Sequence, residues 1–134
     1  MRRVLGLVLR VFSFLFHFPL IAFLLLASSL AWFSGHNLTI GALPWQGAAL
    51  TYVLFFSALA GLIGLGLALL RRAALLFVAW NLAVLVALAR GYFFSSYVFG
   101  PAGTSLGMAL SLTFGALVAL IGSCLHWRAA RRVT

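Results

Sequence analysis

The chain of 134 residues contains no aspartate, glutamate or lysine, and all nine of its basic charges are arginines. Carboxylates carry out much general acid–base catalysis, bind hard cations and relay protons through membrane pumps. Functions that rest on carboxylates are therefore excluded for the chain's own side chains, and we expect it not to be an enzyme. The side chains left to titrate in a useful range are the histidines, the tyrosines and Cys124.

The chain also lacks the polar residues needed to build a water-facing surface. Charged residues make up 7% of it and hydrophobic residues 66%, whereas soluble domains are about 25% charged. The isoelectric point near 11.9 would favour nucleic-acid binding in a soluble protein. Here the arginines stand at the ends of apolar runs, so we expect lipid rather than nucleic acid as the partner. The single Cys124 excludes a disulfide within the chain.

Four apolar stretches are long enough to span a bilayer, which takes about 20 residues each. They cover approximately residues 11–33, 46–70, 73–98 and 104–127. The first run is longer than the apolar core of a signal peptide, about 7–15 residues, and is interpreted as a true span. The sequence therefore predicts one all-α domain over residues 1–134, a four-helix transmembrane bundle with two longer loops and one tight hairpin at Arg71 and Arg72.

The arginines predict the orientation of this bundle. Eight of them flank the side that carries both termini, and only Arg90 lies on the other side. Basic residues near span ends stay in the cytoplasm, so we expect cytoplasmic termini, outer loops at residues 34–45 and 91–103, and anionic lipids at the inner face. Arginine without lysine, with much Ala, Gly and Leu, is typical of a GC-rich genome and favours a bacterial inner membrane.

Small residues recur every four positions along the fourth span. They are Gly103, Gly107, Ser111, Gly115, Ala119 and Ser123, and the second span has a shorter series of Ala60, Gly64 and Ala68. Because small residues let helices approach closely in lipid, we predict that both series are packing faces; chance spacing in a chain rich in Gly and Ala is the alternative for the shorter one. The first span instead spreads five phenylalanines around its helix, so we expect it to pack loosely at the edge, with Phe14 facing lipid.

Three residues of the spans are candidates for a polar or cofactor site. His17 lies seven residues after Arg10 and Asn81 nine after Arg72, which places them at about 10 Å and 13 Å depth in regular helices. With Trp80 they form a possible pocket, although hydrogen bonds between helices explain them equally simply. No two histidines are predicted at the same depth, so haem held within one chain is not expected. A shared haem or a quinone at His17 stays open.

Another candidate site lies at the outer end of the third span, where Arg90 is followed by five aromatic residues within Tyr92–Phe99. An aromatic belt with Arg90 on lipid phosphate is one interpretation. The other is a partner-binding patch at Arg90, Tyr92, Phe93 and Tyr97, because interfaces favour Arg and aromatic residues.

These features favour a non-catalytic subunit or accessory protein of a larger inner-membrane assembly, docking through its helix faces and the Arg90 patch onto other membrane subunits. Two alternatives remain open. One is a small homo-oligomeric channel or carrier for neutral or anionic solutes, and the other is a redox membrane anchor that binds haem or quinone through His17. Neither metal ligands nor catalytic residues are expected.

Overall fold

A computed structural model describes residues 1–41, 43–100 and 104–131. This part of the chain is all-helical and has no strands. Its four helices are each long and apolar enough to span a membrane: α1 (Arg2–Ser34), α2 (Gly47–Leu69), α3 (Ala74–Phe93) and α4 (Leu106–Ala130). The prediction of an all-α protein with four spanning helices is thereby confirmed. Gly103, named above, lies outside the described residues, as does Arg132, one of the eight arginines predicted on the side of the termini.

Two helix ends differ from the predicted span ends by more than three residues. Helix α1 begins at Arg2 and continues through Pro19 to Ser34, because the residues before the apolar run contain no proline and are mostly Arg, Leu and Val. Helix α3 ends at Phe93 rather than at residue 98. The Phe94 N–H donates to the Arg90 carbonyl and the Ser95 hydroxyl donates to the Gly91 carbonyl. These bonds close the last turn of α3.

The connection between α2 and α3 is the tight turn that the two arginines predict. The Arg72 N–H donates to the Leu67 carbonyl at 2.8 Å and the Arg71 N–H to the Ala68 carbonyl at 3.0 Å, the pattern of a Schellman cap. Such a cap needs a left-handed residue, and Arg71 has φ of 55°. Ala73 is also left-handed, with φ of 45°. Both residues would be glycine in an unstrained version of this turn.

Each helix packs against two others, so that α1 and α3 both lie between α2 and α4. We call the end with the start of α1, the α2–α3 turn and the end of α4 the terminal end of the bundle. The opposite end, which we call the loop end, carries the described residues of the other two connections, 35–41, 43–46, 94–100 and 104–105. Gly122 of α4 faces Leu9 of α1, and the imidazole of His126 lies against the carbonyl of Ala68. These contacts place the chain ends and the tight turn together.

The prediction that α1 packs loosely at the edge is wrong. Its Ser13, His17, Ile21 and Ser28 are at most 1% exposed, and they occupy one face of the helix. Phe14 does not face lipid either, because its ring stacks on that of Phe77 with centroids 5.0 Å apart. The distribution of phenylalanines around α1 does not reveal its buried face, because lipid-facing and core-facing positions are equally apolar in a membrane.

The centre of the bundle is filled by side chains from three helices. Ile21 of α1, Leu65 and Ala68 of α2 and Phe77 of α3 form the buried apolar cluster, and Phe14, Leu25 and Trp80 pack around it. The outward faces are equally apolar, and many of their leucines, phenylalanines and valines are half or more exposed. That combination suits a protein whose surface is solvated by lipid.

Candidate functional site

His17 and Asn81, predicted at similar depth, meet in the structure through a residue that the sequence analysis did not single out. The Ser13 hydroxyl donates to the Asn81 side-chain oxygen at 3.4 Å, which is long for a hydrogen bond. The Ser13 carbonyl accepts from Nδ1 of His17 at 3.0 Å. All three residues are at most 1% exposed. Ser13, His17 and Asn81 together form what we call the polar cluster, which joins α1 to α3.

Asn81 makes a further hydrogen bond within its own helix. The amide nitrogen of Asn81 donates to the Phe77 carbonyl at 2.7 Å, one turn back along α3. Asn81 therefore both accepts across the helix interface and donates within its own helix. A buried amide is stable only when its donors and acceptors are paired, so this side chain fixes α1 and α3 at one register.

His17 is different, because one of its ring nitrogens has no partner. A carbonyl oxygen can only accept, so Nδ1 carries the proton and the neutral ring has a bare lone pair at Nε2. That atom is buried and makes no hydrogen bond. The rings of Phe16 and Phe77 approach the imidazole edge-on, with centroids at 5.2 Å and 5.6 Å. The apolar rings offer Nε2 no donor.

Trp80, the third candidate of this group, has a packing position on α2. Its ring lies over Gly61, where an added Cβ would stand 2.6 Å from Cε2 of the indole. Its indole N–H is buried without a partner. The structure thus joins His17 and Asn81 through Ser13, and places Trp80 in the apolar cluster beside Phe77.

His126 makes a different contact at the terminal end. Its Nε2–H donates to the Ala68 carbonyl at 2.8 Å, and the edge of its ring meets Phe14 at 5.2 Å. The Ala68 carbonyl also accepts from the Arg71 N–H in the α2–α3 turn, so His126 of α4 uses the second lone pair of this oxygen and ties α4 to the end of α2. In the described residues, no three side chains among His and Cys come together as a metal site would require.

The small-residue series of α4 divides into two parts. Gly115, Ala119 and Ser123 are buried, whereas Gly107 and Ser111 are exposed. Four residues turn an α-helix through slightly more than one revolution, so a strict four-residue series drifts off any straight contact face. The face in contact with the other helices instead alternates steps of three and four, through the buried Gly115, Ala119 and Gly122 to the partly buried His126.

In α2 the shorter series divides in the same way: Ala60 is exposed, and Gly64 and Ala68 are buried. At Gly64 the backbone of α3 passes close by, since an added Cβ would lie 3.5 Å from the Phe77 nitrogen. At Gly122, which the sequence analysis missed, an added Cβ would lie 2.0 Å from the Leu9 carbonyl oxygen. The missed signal was the three-and-four alternation of small residues, rather than the constant spacing of four.

At the loop end, aromatic residues from the last turn of α3 and from the loop after it hold that loop together. The Thr104 N–H donates to the Tyr97 hydroxyl at 2.9 Å, and the hydroxyls of Tyr92 and Thr104 are 3.3 Å apart. The Tyr92 and Tyr97 rings meet edge-on at 5.2 Å. Gly41 of the other loop lies against the Tyr97 ring. Tyr92 and Tyr97 are therefore partly buried between loops.

Arg90 and Phe93 are the exposed members of the predicted partner-binding set. Beside them Phe94 and Val98 are each 83% exposed. We call Arg90, Phe93, Phe94 and Val98 the loop-end patch. It combines a guanidinium with bulky apolar side chains.

The loop end also contains a pocket of about 250 Å³ between the end of α1 and the start of α2. Its polar lining comes from His36, Asn37, Thr51 and Tyr52, with Trp32 packed edge-on against Tyr52 at 5.0 Å. The Thr51 hydroxyl already donates to the Gly47 carbonyl. Sequence reasoning did not single out this pocket, because the way the α1–α2 connection folds against the two helix ends does not follow from the residue pattern.

Fold and site together define an all-helical integral membrane protein with a buried polar cluster and an exposed arginine–aromatic patch. No family model, no curated protein and no solved structure matches the chain. Its function must therefore be argued from its own residues.

Proposed function

We propose that this protein is a non-catalytic subunit or accessory protein of a larger assembly in a bacterial inner membrane. Both termini lie in the cytoplasm in this proposal, because eight of the nine arginines flank the spans on that side. The loop end then faces the outer side. The protein contributes helix faces within the bilayer and the loop-end patch beyond it.

The observation that carries the proposal is the exposed Arg90 in a chain without a single acidic side chain. A guanidinium keeps its charge and forms strong paired hydrogen bonds with carboxylates and phosphates. No side chain of this protein can supply the carboxylate, so the partner is another molecule. Phe94 and Val98 add large apolar surfaces beside it, and arginine with aromatic residues is the composition favoured at protein interfaces.

A carboxylate of a neighbouring protein and a phosphate of a lipid differ in how strongly they prefer arginine over lysine at position 90. Lipid phosphate accepts lysine nearly as well as arginine, whereas a buried carboxylate uses the two-pronged guanidinium. Removing one member of a buried charge pair typically weakens binding by about 2–5 kcal/mol. The subunit proposal therefore requires that partner binding be weaker with lysine than with arginine at position 90.

The test is co-purification of the protein with other chains from its own membranes in mild detergent. We expect the wild type to carry other chains at fixed stoichiometry, Arg90→Lys to retain fewer of them and Arg90→Ala to lose them. Arg3→Ala, which removes an exposed arginine at the terminal end, is the matched control and should retain all. Retention of every partner by both Arg90 variants would reduce the loop-end patch to a lipid contact.

The channel alternative has a distinct outcome in the same experiment. The space between the four helices is occupied by Ile21, Leu65, Phe77 and their neighbours, so a pore would have to form between copies of the chain. A symmetric homo-oligomer free of other chains would replace the subunit proposal with that alternative.

A further inference from the structure

The bare Nε2 of His17 needs a hydrogen-bond donor that the surrounding side chains do not supply. The Ser13 carbonyl fixes the proton on Nδ1 at 3.0 Å, and Nε2 is buried without a partner. An unpaired acceptor in an apolar interior is unfavourable. The natural occupant of this position is a small group that donates an O–H or N–H from outside the chain.

An apolar groove lies on the outer surface of α1 and α4. The groove has a volume of about 590 Å³ and is lined by α1 side chains from Phe12 to Phe23 and by Leu112 of α4. Its lining is almost wholly apolar and includes three aromatic rings. A molecule that enters it must be soluble in the membrane and is best matched by a flat aromatic body.

Phe16 separates the groove from the histidine. Its ring lines the groove and also meets the edge of the His17 imidazole at 5.2 Å. A third contact is with the site of Gly115, where an added Cβ would lie 2.7 Å from the ring. Because Gly115 lacks a side chain, a turn of the Phe16 ring meets less resistance there than at any larger residue.

We propose that His17 and the groove form a binding site for a membrane-soluble hydroquinone. The aromatic head and its tail occupy the groove, Phe16 turns aside, and one hydroxyl of the head donates to Nε2 of His17. The reduced molecule has hydroxyl donors, whereas the oxidised quinone has only carbonyl acceptors. The site is therefore selective for the reduced form. This inference is independent of the subunit proposal.

The selectivity can be measured by isothermal titration calorimetry in detergent, without oxygen, using decylubiquinol and decylubiquinone as the two probes. One hydrogen bond to an otherwise unpaired buried acceptor corresponds to about a tenfold difference in Kd. We expect the wild type to bind the quinol about ten times more tightly than the quinone. Equal affinities, or binding of neither probe, would overturn the proposal.

Two substitutions then separate the roles of the ring nitrogens. His17→Asn places an amide N–H near the Nδ1 position, so it can still donate to Ser13, but it has no acceptor at the Nε2 position. We expect it to lose the preference for the quinol. His17→Gln extends an amide oxygen to the Nε2 position and should recover part of the preference. If His17→Asn, folded as judged by thermal unfolding, keeps the full preference, Nε2 is not the acceptor and the proposal fails.

Discussion

Replacing Gly122 by alanine should weaken the bundle more than the same change at other described glycines of the spans. An added Cβ would lie 2.0 Å from the carbonyl oxygen of Leu9, 2.8 Å from its carbon and 3.0 Å from Cβ of Ser13. The first two atoms belong to the backbone of α1. They cannot rotate away as a side chain can, so α1 and α4 must separate.

The magnitude follows from two opposing effects. Glycine in a helix is about 0.5–1 kcal/mol less favourable than alanine, which gives every Gly→Ala change a small stabilising contribution. Overpacking of a tight contact typically destabilises by about 1–3 kcal/mol, and backbone atoms at this distance place Gly122 at the upper end. We therefore expect a net loss of about 2 kcal/mol in the free energy of unfolding.

Matched controls come from glycines with open surroundings. An added Cβ at Gly107 or Gly66 meets no atom within 4 Å, so alanine there should stabilise by about 0.5–1 kcal/mol. At Gly64 the closest atom is at 3.5 Å, an ordinary contact, and the change should be nearly neutral. The four variants should therefore rank in stability with Gly107→Ala and Gly66→Ala highest, Gly64→Ala between, and Gly122→Ala lowest, although all four make the same chemical change.

The assay is reversible unfolding in mixed detergent micelles, followed by circular dichroism for each single variant. If Gly122→Ala and Gly107→Ala unfolded at the same mole fraction of denaturing detergent, the reasoning would be refuted. It would then follow that α1 and α4 do not cross at Leu9 and Gly122.

Other predictions concern the turn and the orientation. Ala73→Gly should stabilise the protein by about 0.5–1 kcal/mol because it relieves a left-handed alanine, whereas Ala79→Gly on the exposed face of α3 should destabilise by a similar amount; thermal unfolding of both variants checks the opposite signs. In a Cys124→Ser background, an impermeant thiol reagent added outside whole cells should label Asn37→Cys and not Arg131→Cys, and the reverse pattern would overturn the proposed orientation.

The sequence was sufficient for the number of helices because apolar length alone determines whether a segment can span a membrane. The sequence could not show which face of each helix is buried in the bundle and which faces lipid. In water, a buried face is recognised by its contrast with a polar one, but Phe14 in the core and Phe18 on the surface are the same residue in the same kind of solvent. The position of α1 between α2 and α4 therefore had to come from the structure.

The candidate sites were predictable to different extents. Depth counting from Arg10 and Arg72 placed His17 and Asn81 at similar heights, and the structure joins them through Ser13. Their pairing depends on how the two helices are rotated about their axes, which depth counting does not address. The loop-end residues show a similar limit, since the sequence grouped Tyr97 with Arg90 although loop packing turns Tyr97 inward.

Constant spacing was also too simple a guide to close contacts. It pointed to Gly107, which is exposed, and passed over Gly122, where the backbones approach most closely. A face that follows a helix crossing must alternate steps of three and four residues to remain in contact. Small residues at such alternating steps are the more useful signal in sequences of this composition.

The most direct test of the proposed function is the native mass of the wild-type protein released from its own membranes in mild detergent. The subunit proposal predicts a particle in which the 14.4 kDa chain is accompanied by other chains at fixed stoichiometry, and which Arg90→Ala disrupts while the chain stays folded. A particle whose mass is a whole multiple of 14.4 kDa, with no other chain present, would contradict it.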